Sequence, residues 1–150
     1  MSAYMLEMQA ANAPSKITAR DCARLRTLWE VWSPGWAFSS EQFRPVQQAF
    51  ETPGVAWAAT RYYRSLFTVH RKNTRQIYAL SRQPLAVPAQ VLVGEFDGCM
   101  QAGLVQYMVE PACFPQGVAV HTVSGCGHFL QAEKPDEVTS HLVQLIEAAR

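Results

Sequence analysis

The stretch from residue 91 to residue 128 decides how the whole chain is interpreted. It opens with VLVGEFDG (residues 91–98) and closes with VAVHTVSGCGH (residues 118–128). Both apolar runs are short, rich in valine and bounded by glycine turns, which favours buried strands over helices. Between them, the residues from Met100 to Val109 can form a helix with one apolar face. The stretch therefore predicts a strand–helix–strand unit.

Such a unit normally joins two parallel strands by a right-handed crossover, and ligands bind outside the carboxyl edge of the strands. Asp97 follows the first predicted strand and His128 follows the second, so we expect the two side chains to meet at that edge. An acid that fixes the tautomer of a histidine leaves the other ring nitrogen free to act as a base, as in a nucleophilic triad. Glu95 lies in the same turn as Asp97 and is the competing candidate for the acid. Asp97 is preferred because it directly precedes Gly98 in that turn.

Composition limits the classes of protein to consider. The 150 residues are 49% hydrophobic and 17% charged, which predicts a globular chain with a sizeable core. A formal net charge of +1 argues against a nucleic-acid-binding protein. No apolar run approaches the length of a membrane span, and the start of the chain lacks the basic residues of a signal peptide. We therefore expect a cytoplasmic protein whose four cysteines are reduced thiols.

The region before the first strand, residues 1–82, has the apolar spacing of helices. Thr18 with Asp21 resembles the start of a helix that should end at residues 33–35, and Ser39 with Gln42 resembles a second helix start. A further helix is predicted from about residue 55 to residue 69. After His128, a last helix begins near Pro135, with its buried stripe at Val138, Leu142, Leu145 and Ile146.

The predicted organisation is therefore helical over residues 1–82 and βαβα over residues 83–150. Two strands and two helices cannot bury both faces of a parallel sheet. The second region thus has the pattern of the end of a larger sheet.

VLVGEFDG, together with GCGHFLQAEKP (residues 125–135) and an amphipathic terminal helix, resembles the C-terminal part of α/β-hydrolase-fold enzymes. In that family the acid follows a strand near the end of the sheet and the histidine follows the last strand, positions that Asp97 and His128 match. The resemblance implies an α/β fold in which a helical cap (residues 1–82) precedes a βαβα unit with parallel strands (residues 83–150).

The helical region resembles the cap of that family. Residues 28–36 and the RYYR segment (residues 61–64) are similar to cap segments, the latter to the epoxide-hydrolase-like branch. There, a cap tyrosine that matches Tyr63 hydrogen-bonds the substrate oxygen. Tyr62 and Trp36 are further candidates for binding the substrate. The alternative for each of these residues is a packing role in an aromatic core.

The resemblance covers about half of a typical family member, and the nucleophile is not in that half. The family order is nucleophile, acid, histidine, yet no Gly-x-Ser-x-Gly elbow precedes Asp97, and Asp21 is the only earlier aspartate. The oxyanion-hole His-Gly segment is also absent. We therefore expect the cap and acid–histidine arm of a hydrolase of esters, epoxides or carbon–halogen bonds, inactive alone and needing no cofactor or metal. Its partners would be a small apolar substrate and the missing half.

Two alternatives remain open. The chain could be a non-catalytic, truncated or divergent form that folds by dimerising or by pairing with an N-terminal-half chain. It could also use Cys99, Cys126 and His128 as metal ligands or as a thiol nucleophile, although Cys-Gly-His is tighter than usual zinc-ligand spacing. Of the other histidines, His121 is expected to be a packed or sheet-face residue of the second strand, whereas His70 and His141 are expected to be exposed.

Overall fold

The computed structural model describes residues 3–65, 68 and 70–149. Contacts divide the chain into two units. The first unit comprises Met1–Trp29 and Ala37–Ser81, and the second comprises Glu30–Trp36 and Arg82–Arg150. The short segment Glu30–Trp36 belongs to the second unit, although in the sequence it lies between the two ranges of the first unit. The predicted functional division at residue 82 stays a prediction.

The helices of the first unit follow the apolar spacing of the sequence. They are α1 (Ala3–Glu7), α2 (Ala13–Trp32, whose last three residues belong to the second unit), α3 (Ser40–Glu51), α4 (Val55–Ser65) and α5 (Lys72–Leu80). The predicted helix start at Ser39 is confirmed, because the Ser39 side chain accepts the Gln42 N–H and the Gln42 side chain bonds back to the Ser39 N–H. Leu66 and Val69, which belong to the helix predicted from about residue 55 to residue 69, lie outside the described residues.

The helix start predicted at Thr18 is wrong. Helix α2 already begins at Ala13, and the Thr18 hydroxyl donates to the carbonyl of Pro14 at 3.2 Å. Pro14 in the first turn is favourable there, because its missing N–H would have had no helical partner. The regular backbone breaks instead at residues 19–22, where Arg20, Asp21 and Cys22 have positive φ. The spacing of Thr18 and Asp21 matched a cap, but residues 19–22 form a break between two helical segments of α2, the first of which begins at Ala13.

An aromatic cluster forms much of the core of the first unit. The ring of the fully buried Phe43 lies 5.4 Å from that of Trp29 in an edge-to-face arrangement, and Phe38 lies 5.1 Å from Trp29. The Arg26 guanidinium lies 4.5 Å from the centre of the Phe43 ring. Burying these large rings stabilises a small helical layer.

The second unit contains the predicted strand–helix–strand element. Its elements are β1 (Ala89–Gly94), α6 (Ala102–Met108), a short 3₁₀ turn (Pro111–Cys113), β2 (Val118–Val123), α7 (Leu130–Glu133) and α8 (Pro135–Ala148). Strands β1 and β2 are parallel, in a register that runs from Ala89 opposite Val118 to Gly94 opposite Val123. The prediction of two parallel strands joined across a helix is confirmed.

The sheet of the second unit has two strands among the described residues, and its surroundings are only partly buried. Val93, Val105 and Val123 form its core, each no more than 4% exposed. The predicted buried stripe on α8 is wrong in part, because Leu142 and Ile146 are 52% and 57% exposed. A two-stranded sheet is too narrow to cover that helix face.

Within residues 3–65, 68 and 70–149, no helix combines the length and the apolar character that crossing a membrane requires.

Candidate active site

Asp97 and His128 meet at one edge of the sheet. Asp97 lies in the turn after β1 and His128 in the turn after β2, and both turns leave the same edge because Gly94 pairs with Val123 in parallel register. Asp97 Oδ2 lies 2.9 Å from His128 Nδ1. The juxtaposition that the order of the sequence predicts is therefore present in the fold, while the catalytic role of the pair stays a prediction.

The Asp97 carboxylate has fixed donors on both oxygens. Its Oδ1 accepts the backbone N–H groups of Cys99 and Met100, each at 2.8 Å, and its side chain is 6% exposed. With Oδ1 occupied, Oδ2 is left to accept a hydrogen bond from His128 Nδ1. In a neutral imidazole, this contact favours the tautomer with the proton on Nδ1, in which Nε2 is the nitrogen that can accept a proton. The His128 side chain is 30% exposed, so its free edge is open to a reacting group.

Glu95, the competing candidate for the acid, forms a hydrogen bond with a residue other than His128. Its Oε2 accepts the N–H of Gly125 at 2.9 Å, in the turn that carries His128. The two turns are also joined by a bond from the Phe96 N–H to the Cys126 carbonyl at 2.9 Å. Glu95 therefore ties the turns together, and Asp97 is the carboxylate that reaches the imidazole.

Aromatic rings flank the imidazole of His128. The Trp32 and Phe129 rings lie 5.1 Å and 5.2 Å from it, both edge-to-face. Trp36, a candidate for substrate binding, packs on Phe129 with ring centres 6.1 Å apart. These apolar neighbours restrict the imidazole to few orientations and would exclude water from one side of it.

An open depression of about 570 Å³ lies beside Asp97. It is lined by residues of the loop after α2, of the turn after β1 and of the start of α6: Pro34, Glu95, Phe96, Asp97, Gln101, Ala102, Gly103 and Leu104. Its walls mix apolar and carboxylate groups.

Tyr63 and Tyr62, the other candidates for substrate binding, belong to α4 of the first unit. The Tyr63 ring lies edge-to-face against Tyr4 at 5.7 Å and against Tyr62 at 5.5 Å, and Tyr62 is 64% exposed. The structure thus brings Asp97, His128 and Trp36 together within the second unit and places the two tyrosines in the first. Their contact with a substrate stays a prediction.

The cysteine-based alternative finds no support. Cys126 is 2% exposed, and burial, with the nearby Glu133 and Glu137 carboxylates, raises the pKa of its thiol to about 11. A thiol with so high a pKa is protonated at neutral pH and is a poor nucleophile or metal ligand. In the described part of the chain, no group of three or more His, Cys, Asp or Glu side chains could hold a metal ion. The four cysteines form no disulfide.

The prediction for His141 is wrong, whereas that for His121 holds. The rings of His121 on β2 and His141 on α8 lie 4.5 Å apart, and both residues are half-buried. His121 Nε2 and His141 Nδ1 are shielded from solvent and have no hydrogen-bond partner among the residues that the structure describes. His141 was expected to be exposed because its neighbours in the sequence of α8 are polar, but its ring packs against His121 on the sheet and is partly covered. His70 is exposed, as predicted.

Two residues beside His128 were not predicted as part of the site. Ser33 lacks the flanking glycines of a nucleophile elbow, yet it is 1% exposed and its hydroxyl donates to Glu133 Oε1 at 2.7 Å. Glu133 belongs to the GCGHFLQAEKP segment that identified the histidine turn, so that segment held a signal for it. Ser33 had no such signal, because its partners lie about a hundred residues further along the chain.

Comparison with known proteins gives the same fold. No protein-family model matches the sequence. A proposed epoxide hydrolase from Klebsiella pneumoniae superposes with a TM-score of 0.77 at 19% identity, over 95% of this chain and 48% of that one. The Cif epoxide hydrolase from Acinetobacter nosocomialis gives 0.73 at 21% identity, over 97% and 45% of the two chains.

A variant of a proposed epoxide hydrolase from Pseudomonas aeruginosa gives a TM-score of 0.72 at 20% identity, over 99% of this chain and 50% of that one. The chain therefore spans about half the length of the structures it matches. The superpositions confirm the fold class predicted from the sequence. The chain has the fold of the C-terminal half of a capped α/β-hydrolase, the fold of these epoxide-hydrolase structures.

Proposed function

We propose that the chain carries the acid–base arm of a hydrolase of the α/β-hydrolase type. Asp97 orients the imidazole of His128 and stabilises its charged form, and His128 Nε2 is the general base. The observation that carries the proposal is the 2.9 Å contact between Asp97 Oδ2 and His128 Nδ1, at the edge where both parallel strands end. Acid–histidine pairs at such edges serve nucleophilic catalysis.

The proton transfers follow from this arrangement. A nucleophile forms a bond to the electrophilic carbon of the substrate, and the carbon–oxygen or carbon–halogen bond breaks. His128 Nε2 then takes a proton from the water that attacks the covalent intermediate, while Asp97 balances the charge of the imidazolium. When the covalent intermediate breaks down, His128 gives that proton to the oxygen that leaves, which regenerates the neutral imidazole. In the first step a halide leaves as the anion. A departing ester oxygen takes the proton that His128 removed from a serine nucleophile, and an opened epoxide oxygen takes a proton from solvent.

The nucleophile and the oxyanion donors are assigned to a segment outside these 150 residues. Two observations support this: the sequence has no nucleophile elbow before Asp97, and the matched structures are about twice as long. From the resemblance of their segments to the cap of capped hydrolases, Tyr63, Tyr62 and Trp36 are proposed to contact the substrate. Because the matched proteins are named as epoxide hydrolases, an epoxide is the first substrate to test. Four thiols favour a reducing compartment such as the cytoplasm.

The test is a fusion of this chain to the N-terminal half of the Klebsiella pneumoniae protein. The fused protein is expected to hydrolyse small apolar epoxides or nitrophenyl esters, because it unites a nucleophile with the acid–base arm. The chain alone is expected to give no turnover above background. A stoichiometric burst of nitrophenol from the purified chain alone would contradict the assignment, since the burst would require a nucleophile within the 150 residues.

A second candidate is a non-catalytic chain that folds by association. It is favoured by the apolar groups that the second unit leaves uncovered, among them Val120 on β2 and Leu142 and Ile146 on α8. A second copy, or a chain supplying an N-terminal half, would cover them and pair with the open edge of the sheet. Analytical ultracentrifugation is expected to show a dimer or larger species at micromolar concentration. A stable monomer that binds no hydrophobic dye would count against this candidate.

A further inference from the structure

One backbone carbonyl joins the two turns of the candidate active site. The carbonyl oxygen of Trp32 accepts the N–H of Gly98, next to Asp97, at 3.0 Å, and the N–H of His128 at 3.1 Å. The short segment Glu30–Trp36 thus binds both the turn after β1, which carries Asp97 (the acid turn), and the turn after β2, which carries His128 (the histidine turn). A shift of this carbonyl would move both turns.

The next residue, Ser33, extends this attachment on the histidine side. Its buried hydroxyl accepts the His128 N–H at 2.9 Å and lies 3.3 Å from the Phe129 nitrogen. It donates its own proton to Glu133 Oε1 at 2.7 Å. A hydroxyl that both accepts and donates in this way has one orientation, so its direction is set by Glu133.

Glu133 completes the network from the far side of the turn. Its Oε2 accepts the Gly127 N–H at 2.9 Å, and its Oε1 accepts the Phe129 N–H at 3.1 Å. Three consecutive N–H groups, those of residues 127–129, therefore donate to Ser33, Glu133 or the Trp32 carbonyl. Hydrogen bonds to a carboxylate are stronger than neutral ones, which makes Glu133 the main anchor of this turn.

Close packing shows that the network leaves no spare room. A Cβ at Gly127 would lie 2.5 Å from Ser33 Cα, and a Cβ at Gly98 would collide with the carbonyl oxygen of Val31. Glycine at both positions lets the two turns approach the Val31–Ser33 backbone. The fit restricts the histidine turn to one conformation.

We propose that Ser33 and Glu133 are positioning residues for His128. The bond to Asp97 fixes one ring nitrogen, but the imidazole could still pivot about it; the Ser33–Glu133 network fixes the backbone at the other end. Together the two attachments direct Nε2 at the reacting group. The inference rests on the proposed function in that the positioned ring is taken to be the base, and a misplacement of about 1 Å can cost a base much of its effect.

The test compares the His128 tautomer in the full chain and in two variants, by heteronuclear NMR of isotope-labelled histidine. In Glu133→Gln only one of the two terminal atoms is an oxygen that can accept, so one of the N–H or O–H groups that donate to Glu133 loses its partner. Ser33→Ala removes the hydroxyl that accepts from His128 and donates to Glu133. Each variant is expected to lower the ratio of the Nδ1–H to the Nε2–H tautomer by about tenfold, the factor that one net hydrogen bond represents. Glu137→Gln and Ser124→Ala are matched controls on exposed side chains, and they should leave the ratio unchanged.

The outcomes separate positioning from stability alone. If the folded variants are less stable but keep the parental tautomer ratio, the two residues merely stabilise the fold and the proposal is overturned. Should Glu133→Gln fail to fold, Ser33→Ala decides, because it leaves the Glu133 bonds to Gly127 and Phe129 in place. Amide exchange in the unaltered chain gives a check without variants: the Gly127 and His128 amides should exchange as slowly as those of β1, and loop-like exchange would overturn the proposal. None of these readouts needs turnover, so they stand apart from the test of the hydrolase function.

Discussion

Asp97→Asn, in the fused enzyme that contains this chain, is expected to lower kcat by about 10⁴-fold, the order of loss that follows when the acid of a triad becomes an amide. Geometry makes the effect severe. Asn Oδ1 would remain bonded to the N–H groups of Cys99 and Met100, so the amide nitrogen would occupy the Oδ2 position and face His128 Nδ1. An N–H donor at that point favours the Nε2–H tautomer, in which the base already carries a proton.

The measurement is steady-state hydrolysis of the substrate that the fused parent turns over. Glu95→Gln is the matched control, because Glu95 lies in the same turn yet accepts only the Gly125 N–H. Its glutamine can still accept that bond, so kcat should stay within a few-fold of the parent, the cost of about one weakened hydrogen bond. The reverse pattern, with Asp97→Asn active and Glu95→Gln inactive, would move the acid assignment to Glu95.

His128→Gln in the same fusion is expected to lower steady-state turnover by about 10⁶-fold, since His128 is the proposed base for the nucleophile and the hydrolytic water. The variant also identifies the class of nucleophile that the fused N-terminal half supplies. A carboxylate nucleophile is already ionised and attacks without a base, so a covalent ester would accumulate to one equivalent. A serine needs His128 for the first step and would accumulate nothing.

Mass spectrometry of the intact variant after incubation with substrate distinguishes these cases through the mass of the adduct. Both nucleophile classes agree with the proposal, because both require His128 for turnover. Undiminished turnover in His128→Gln would remove His128 from the mechanism. The control is His70→Gln, which changes an exposed histidine of the first unit.

The second unit was predictable from sequence because local and long-range signals agree there. Two valine-rich runs bounded by glycine specify strands, and the intervening helix requires them to be parallel. Once the strands are parallel, the residues that follow them must share an edge, and this brings Asp97 and His128 together from distant positions. The choice of Asp97 over Glu95 depended on the turn, and the contacts of both carboxylates agree with it.

Other features depend on packing that no local pattern encodes. Ser33 lies in a loop with no motif, and its role becomes visible only when Glu133 and His128 fold against it. The exposed face of α8 was predicted as buried because its apolar spacing is that of a core helix, whereas the two-stranded sheet is too narrow to cover it. That spacing fits a wider sheet.

The protonation state of His128 tests the central claim most directly. In the unmodified chain at mildly alkaline pH, heteronuclear NMR should show a proton on Nδ1, with the resonance of a strongly hydrogen-bonded N–H, and none on Nε2. That result would mean that the Asp97 carboxylate holds the imidazole ready to accept a proton at its open edge. A dominant Nε2–H form, or an equal mixture of the two tautomers, would contradict the account, because the carboxylate would then not be directing the ring.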